Sequence, residues 1–174
     1  MSEEHFVDEW EFRNMQRIPA RFRGVDADDR EVGTGLYLFG TVGTGKTWTA
    51  AGIMRAYIER GERTRWLTVP TWLHQQRESF DSDASMESVE SLARRGLLVL
   101  DDIGVERATP WALEMLYVLI NEAYNRETPM VVTGNLTLAQ LADKIGARLV
   151  SRMAEVCRPV EIAGTDRRMG RRTA

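Results

Sequence analysis

The sequence contains little of what a disulfide-bonded, zinc-binding or membrane-spanning protein needs. Its single cysteine, Cys157, excludes an internal disulfide, and its two histidines, His5 and His74, lie far apart. No apolar run approaches the roughly 18 residues that span a bilayer. The N-terminal residues "MSEEHFVDEWEF" are acidic and do not have the basic-then-apolar order of a secretion signal. We therefore expect a cytoplasmic protein with no membrane partner.

An excess of positive charge is also missing. The net charge is -3, and only two of the 23 basic residues are lysine. Such a balance is not typical of a protein that binds nucleic acid over its whole surface, so any DNA contact has to be local. The tail "DRRMGRR" is the place where arginines crowd together. A chain of 174 residues with 43% hydrophobic residues fits one domain with a sizeable core.

Apolar, β-branched segments alternate with helix-like stretches along the chain. This alternation predicts an α/β fold, in which a five-stranded parallel sheet is covered by helices on both faces. The predicted strands are Leu36–Phe39, Arg65–Val69, Leu97–Asp101, Met130–Thr133 and Pro159–Ile162.

The helices carry their own signals. Apolar residues between Ala50 and Ile58 recur on one helical face, and "WALEMLYVLINEAY" is apolar nearly all round, which predicts burial on several sides. Thr109 before Pro110 predicts a helix start, "TLAQ" from Thr137 predicts a capping box, and a last helix is expected over 147–156. The polar stretch 77–85 is expected to be a flexible connection.

The segment "GTVGTGKT" matches the phosphate-loop pattern G-x-x-x-x-G-K-[ST] between a predicted strand and a predicted helix. Its glycines let main-chain amides surround an anion at the positive end of a helix, so Lys46 would reach the β and γ phosphates of ATP and Thr47 would ligate Mg²⁺. The alternative is an ordinary glycine turn. The predicted cofactor-binding residues here are Gly40, Thr41, Val42, Gly43, Thr44, Gly45, Lys46, Thr47 and the adjoining Trp48.

The segment "LLVLDDIG" is a buried-strand pattern that ends in two acids, as a Walker B element does. Asp101 is predicted to hold Mg²⁺ through water, and Asp102 to polarise the attacking water as a general base, although many ATPases use the longer glutamate there. Two acids after a strand also occur at the start of a solvated loop. Together with the phosphate loop, however, they favour an ATPase.

These motifs, with "IPARFRG", "VVTGNLT", "GARLVSRM" and "GTDRR", occur in the order and spacing of DnaC-type bacterial helicase loaders and their IstB-type transposition-helper relatives. The resemblance covers about residues 17 to 168. It implies an AAA+ P-loop NTPase of the ASCE type with a three-layer sandwich. Because the chain is short, we expect no helical lid domain after the last strand.

The resemblance also implies residue roles. Asn135, with Thr133 as second choice, resembles the sensor that reads the γ-phosphate; Arg152, with Arg148 as companion, resembles the arginine finger that completes a neighbouring subunit's site; and Arg168 resembles the second sensor. Without the resemblance, Asn135 fits a turn and the arginine pair fits a solvated helix face. "IPARF" could form part of an adenine wall, or Ile18 and Phe22 could simply pack.

DnaC-type loaders also hold single-stranded DNA, and the matching stretches here are "RESF" and "ATPW". They assign Arg77 to phosphate contact, Phe80 and Trp111 to base stacking and the Thr109 hydroxyl to a further DNA contact, which suits binding without sequence preference. The alternatives are that Thr109 is only a helix cap and that both aromatic residues belong to the core.

The expected organisation is an N-terminal segment over 1–34, with a possible short docking helix that contains Phe6 and Trp10, and an ATPase domain over 35–174. A frayed N-terminal tail is the alternative. The predicted function is that of an ATPase which assembles with copies of itself, binds single-stranded DNA and places a replicative DNA helicase. Alternatives are a transposase helper, or a nucleotide-switched DNA-binding module with little hydrolysis. A small-molecule phosphotransferase would need a substrate-closing lid, which we do not find after residue 109.

Overall fold

The computed structural model of this protein describes residue 18 and residues 35–80, 87–94, 96–104 and 108–164. Strands and helices alternate within them as the sequence predicts. The elements, in chain order, are β1 (Gly35–Phe39), α1 (Lys46–Glu59), β2 (Thr64–Thr68), α2 (Val69–Phe80), α3 (Val89–Ala93), β3 (Leu97–Ile103), α4 (Pro110–Asn125), β4 (Met130–Gly134), α5 (Leu138–Ile145), α6 (Ala147–Val156) and β5 (Cys157–Glu161).

The five strands form one parallel sheet in the order β2-β3-β4-β1-β5. Successive strand residues point to opposite faces, so each strand supplies two hydrophobic layers. Leu36 and Leu38 of β1 face the α1 side, whereas Tyr37 of the same strand faces the side that holds the other helices. The predicted α/β fold, with helices on both faces of a five-stranded parallel sheet, is confirmed.

Two of the helix starts have the capping contacts that their sequences predict. The Thr109 hydroxyl accepts a hydrogen bond from the amide of Ala112 (3.2 Å), and Pro110 follows in the first turn of α4. At α5 the Thr137 hydroxyl and the Gln140 side chain satisfy each other's backbone amides in a capping box. Helix α6 also has the predicted bounds.

Other boundaries were wrong. Helix α2 begins at Val69, which the sequence pattern assigns to a strand, and Pro70 is tolerated because a first-turn residue needs no amide donor. The same helix continues to Phe80, so residues 77–80 are helical and not part of a flexible connection; Ser79 supports this turn by donating to the Gln76 carbonyl (2.8 Å). Strand β5 starts at Cys157, directly after α6, two residues before the predicted start.

Helix α4 is also less buried than its composition predicts. One face packs against the sheet through Leu116, Leu119 and Ile120, whereas Val118 on the outer side remains 42% exposed. An apolar helix surface that is only partly covered is therefore present on this side of the sheet.

Ile18 is fully buried in the core beneath α1, which favours the packing role over an adenine wall. The expected docking helix with Phe6 and Trp10, the residue Phe22, and the arginine-rich tail lie outside the described residues. Among the helices that the structure describes, none has the length and apolar character needed to cross a bilayer.

Candidate nucleotide-binding site

The phosphate loop connects the carboxyl end of β1 to the first turn of α1. Gly43 and Gly45 have positive φ angles of 82° and 107°, a region that favours glycine. At Gly40 a Cβ atom would lie 2.6 Å from the carbonyl oxygen of Ile162, so a side chain there would collide with the chain beyond β5. The loop sequence therefore follows from its backbone geometry.

Lys46 is only 6% exposed, and its ammonium group lies inside the loop. Nζ donates to the carbonyl oxygens of Gly40 (2.9 Å) and Thr41 (2.6 Å), so the charge of this side chain is held at the concave side of the loop. Thr44 stiffens the same turn by donating to the Thr41 carbonyl (3.0 Å). A buried cation surrounded by a tight glycine loop at a helix N-terminus is suited to binding an anion.

The exposure of the loop residues is uneven. Thr44 is buried, whereas Val42 and Trp48 are 55% and 42% exposed. Two apolar side chains therefore lie at the surface on either side of Lys46 along the chain. Their predicted contact with a nucleotide stays a prediction.

Asp101 is the point where the phosphate loop, β3 and β4 meet. Its Oδ1 atom accepts hydrogen bonds from the hydroxyl of Thr47 (3.1 Å) and from the hydroxyl of Thr133 (2.8 Å). Asp101 is only 4% exposed, so the carboxylate is almost completely enclosed. The two residues that the sequence predicts as holders of Mg²⁺, Thr47 and Asp101, are thus hydrogen-bonded to each other, and their binding of Mg²⁺ stays a prediction.

A β-bulge gives Asp101 and Asp102 their positions. Leu100 pairs with Val132 and Ile103 pairs with Gly134, so the two acids oppose the single residue Thr133. Bulges of this kind re-aim side chains beside active sites. Asp102 has a φ of 63°, which is uncommon outside glycine, and its amide donates to the Thr133 hydroxyl (3.0 Å).

Thr133, the second candidate for the sensor, lies in β4 beside both acids, as the strand pattern predicts. Its fully buried hydroxyl accepts from the Asp102 amide and donates to the Asp101 carboxylate, so it joins both acids to β4. Asn135, the first choice, is exposed one residue beyond the end of β4. Whether Asn135 senses a phosphate stays a prediction.

Two residues without a recognised motif, Tyr37 and Lys144, hold the loops around the acids. The Tyr37 hydroxyl of β1 donates to the carbonyl of Leu136 (2.7 Å), next to Asn135. Lys144 of α5 donates to the carbonyl of Gly104, just after β3. Lys144 is the second of the two lysines, and that scarcity was the only sequence signal that could have drawn attention to it.

The arginine pair lies on α6 against α4. The guanidinium carbons of Arg148 and Arg152 are each 5.2 Å from the ring centroid of Tyr117, and that of Arg152 is also 5.7 Å from the ring of Tyr124. These are cation–π distances. Arg148 is exposed and Arg152 is half-buried, so both guanidinium groups contact an aromatic ring while remaining at the surface. Arg168 lies outside the described residues.

The four predicted DNA contacts occupy two helices. Arg77 is exposed in the last turn of α2, where Phe80 is the final residue. Trp111 is partly buried against the core at the start of α4, and the Thr109 hydroxyl is engaged as the cap of that helix. Arg77 therefore has the open surface that DNA contact needs, whereas Thr109 and Trp111 also have structural roles.

The residues present fit a nucleoside triphosphate with Mg²⁺. The loop has the positive φ angles and the buried lysine that phosphate needs, and Thr47 and Asp101 offer the hydroxyl and carboxylate oxygens that Mg²⁺ prefers. Fold and site together define a P-loop nucleotide-binding protein of the AAA+ type.

The chain belongs to the family described as IstB-like ATP binding protein, whose model matches residues 2–174. It is 27% identical to the replicative helicase loader DnaI of Bacillus subtilis over 78% of this chain and 48% of that protein. It is also 27% identical to an IS21-like putative ATP-binding protein of Bacteroides fragilis, over 79% of this chain and 54% of that protein. The chain thus spans about half the length of these curated relatives.

Among solved structures, the crystal structure of the DnaC helicase loader superposes with a TM-score of 0.68 at 27% identity, over 76% of this chain and 80% of that one. The resemblance that the motifs suggested is therefore confirmed. The chain is an ATP-binding family member that is similar both to helicase loaders and to a transposition-associated protein.

Proposed function

We propose that this protein binds ATP with Mg²⁺, hydrolyses it in an assembly of its own copies, binds single-stranded DNA and helps to place a replicative DNA helicase. The observation that carries the ATPase part is the shared hydrogen bonding of Asp101 to Thr47 and Thr133. It joins the phosphate loop to the acidic strand end at one buried carboxylate. The cytoplasm is the compartment in which we expect this activity.

Each part of the site has a distinct role in hydrolysis. Main-chain amides of the loop and Lys46 bind the phosphate tail, and Asp102 accepts a proton from the attacking water. Bound Mg²⁺ supplies positive charge that offsets the phosphate oxygens, and Thr47 and Asp101 would hold it. Thr133 fixes the acids so that they need not reorganise during the reaction.

The placement of Arg152 supports a shared site. Helix α6, which carries Arg152, packs on one face of the sheet, and α1, which begins with Lys46, packs on the other. Arg152 and the phosphate loop of the same chain therefore lie on helices on opposite sides of the sheet, which favours an arginine that acts on another copy. An arginine supplied by a neighbouring copy would make turnover slow in the isolated chain and faster after assembly on DNA.

Calorimetry and phosphate release test the ATPase directly. We expect Mg²⁺-ATP to bind the parent and to lose affinity for Lys46→Ala, because that variant lacks the charge inside the loop. Asp102→Asn is the matched variant, expected to bind ATP but to release little phosphate. Binding by Lys46→Ala equal to that of the parent would contradict the proposed site. Phosphate release that stays negligible with and without single-stranded DNA would favour the nucleotide-switched binding module.

One observation favours a different partner protein, a transposase, in place of the helicase. The IS21-like relative is as similar in sequence as DnaI, so a transposase helper acting on duplex DNA is the alternative. Pull-down of the ATP-bound chain with a purified replicative helicase, against a purified IS21-type transposase, separates the two. We expect retention of the helicase together with single-stranded DNA. Retention of only the transposase, with duplex DNA, would overturn the helicase assignment.

A further inference from the structure

Helices α4 and α6 bring two tyrosines against two arginines on the face of the sheet opposite α1. Tyr117 lies within 5.2 Å of both guanidinium carbons, and Tyr124 lies 5.7 Å from that of Arg152. Below these side chains, Leu116 of α4 and Met153 of α6 are fully buried in one core cluster. The rings therefore stand on a fixed base, because both helices are held by the same core.

Tyr124 is itself held in place. Its hydroxyl donates to the Glu155 carboxylate over 2.6 Å, one turn along α6 from Arg152. That hydrogen bond is the main reason why the pKa of the Tyr124 phenol is raised. Arg152 thus lies against an aromatic side chain that is tied to the arginine's own helix.

An arginine side chain has many rotamers, and fixing them at the moment of reaction lowers the rate. A cation–π contact restricts the guanidinium before a partner arrives. We propose that Tyr117 and Tyr124 are positioning residues which hold Arg152, with Arg148 beside it, ready to enter the nucleotide site of an adjacent copy. This inference rests on the proposed function, in which Arg152 acts in trans.

Tyr117 gives the sharper test because both arginines contact it. Tyr117→Leu keeps an apolar side chain against the core and removes the ring face, whereas Tyr117→Phe keeps the ring and removes only the hydroxyl. We expect Tyr117→Leu to lower kcat roughly tenfold with KM for ATP within about twofold of the parent, since the phosphate loop is untouched. Tyr117→Phe should have the kcat of the parent. Thermal melting confirms that both variants fold.

Mixed assemblies distinguish positioning of the arginine from general damage to the subunit. Lys46→Ala has no working nucleotide site but retains an Arg152 held by both tyrosines. Tyr117→Leu has an intact phosphate loop but an Arg152 that is not held. In a mixed assembly, Arg152 of a Lys46→Ala subunit can therefore complete the nucleotide site of a Tyr117→Leu subunit. We expect an equimolar mixture to hydrolyse ATP faster than the sum of the two variants alone. The matched control is Arg152→Ala mixed with Lys46→Ala, which should show the same complementation.

The outcomes separate the two proposals. If Arg152→Ala complements Lys46→Ala but Tyr117→Leu does not, or if Tyr117→Leu has at least the parent's kcat, the positioning role is wrong and the shared site stands. If Arg152→Ala fails to complement or hydrolyses ATP like the parent, the shared site is wrong and the positioning role falls with it.

Discussion

The hydroxyl of Thr133 donates a hydrogen bond to Oδ1 of Asp101 (2.8 Å) and accepts one from the amide of Asp102 (3.0 Å). A single side chain on β4 therefore fixes both acids of the neighbouring strand. The β-bulge is what makes this possible, because it sets two residues of β3 opposite one of β4.

Thr133→Val should separate this role from packing, because valine has nearly the same shape and lacks the hydroxyl. The half-buried Asp102 amide would lose its acceptor and the buried Asp101 carboxylate would lose a donor, which together cost about 1 to 3 kcal/mol of unfolding free energy. We expect kcat to fall roughly 10- to 100-fold while ATP affinity is retained, since a misplaced acid impairs the reaction and the loop is intact. Thr133→Ser, which keeps the hydroxyl, is the control. Parent-like hydrolysis by Thr133→Val would show that Thr133 only fills space.

Gly134→Ala should be destabilising because of Tyr37. A Cβ atom at residue 134 would lie 2.7 Å from the Tyr37 hydroxyl and 3.2 Å from the carbonyl oxygen of Ile103. That hydroxyl cannot retreat without losing its hydrogen bond to Leu136. We expect Gly134→Ala to lower the free energy of unfolding by about 1 to 3 kcal/mol in urea titrations.

Tyr37→Phe removes the nearest obstacle and should partly rescue Gly134→Ala. Alone it should cost about 1 to 2 kcal/mol, because the Leu136 carbonyl loses its donor. The double variant should be more stable than the sum of the single effects predicts, by about 0.5 kcal/mol or more. Strictly additive effects would mean that the Tyr37 hydroxyl is not what requires glycine at residue 134.

Alkaline pH should lower the free energy of unfolding through the buried phenol of Tyr37 and the buried thiol of Cys157. Burial raises the pKa of Tyr37 from 10.0 to about 12 and that of Cys157 from 9.0 to about 12. The unfolded chain releases these protons at lower pH, so between about pH 9 and 12 the folded state binds more protons and stability falls as pH rises. Their stabilising effect is fully present only below the unfolded pKa values.

Cys157→Ala and Tyr37→Phe should flatten this dependence. Each removes one titrating group, which is worth up to about 1.4 kcal/mol per pH unit in the slope of unfolding free energy against pH. The Cys157 effect should begin near pH 9 and that of Tyr37 near pH 10, in line with their ordinary pKa values. Urea denaturation at several pH values measures both slopes. If a variant has the same slope of unfolding free energy against pH as the parent, the group that it removes does not cause the pH dependence.

The sequence predicted the elements whose signals are local. The phosphate loop, the acidic strand that carries Asp101 and the caps at Thr109 and Thr137 all depend on neighbouring residues, and the structure has them, although this strand continues two residues beyond its predicted end, to Ile103. The errors in strand and helix ends have local causes too. Proline after Val69 concealed a helix start, and β5 follows α6 without any connecting turn residue.

Contacts between residues far apart along the chain could not be predicted from local sequence signals. Thr133 lies 32 residues from Asp101 along the chain, and Tyr37 lies 99 residues from Leu136. Pairing a hydroxyl with a particular partner at such separation requires the strand order and the bulge, and neither is encoded in a motif. For the same reason, the sequence placed Arg152 on a helix face but gave no sign of Tyr117.

The DNA-binding proposal can be tested at a residue that also has a structural role. The Thr109 hydroxyl caps α4, so Thr109→Ala should lower the free energy of unfolding by about 1 kcal/mol whether or not DNA binds there. Thr109→Asp keeps an acceptor for the cap and adds a negative charge. If DNA phosphates approach this position, Thr109→Asp should retain stability and bind oligo-dT more weakly. Unchanged binding by a stable Thr109→Asp would leave Thr109 as a helix cap only.

Arg77 completes that test because it is exposed and its removal should leave the core intact. A phosphate contact contributes roughly 0.7 to the slope of log affinity against log salt for a single strand. We therefore expect Arg77→Ala to reduce the slope by about that amount, measured by fluorescence anisotropy with labelled oligo-dT across a salt series. Arg60, an exposed arginine at the end of α1, is the matched control. Equal slopes for Arg77→Ala, Arg60→Ala and the parent would show that the end of α2 does not contact DNA, since loss of a phosphate contact must reduce the number of counterions released.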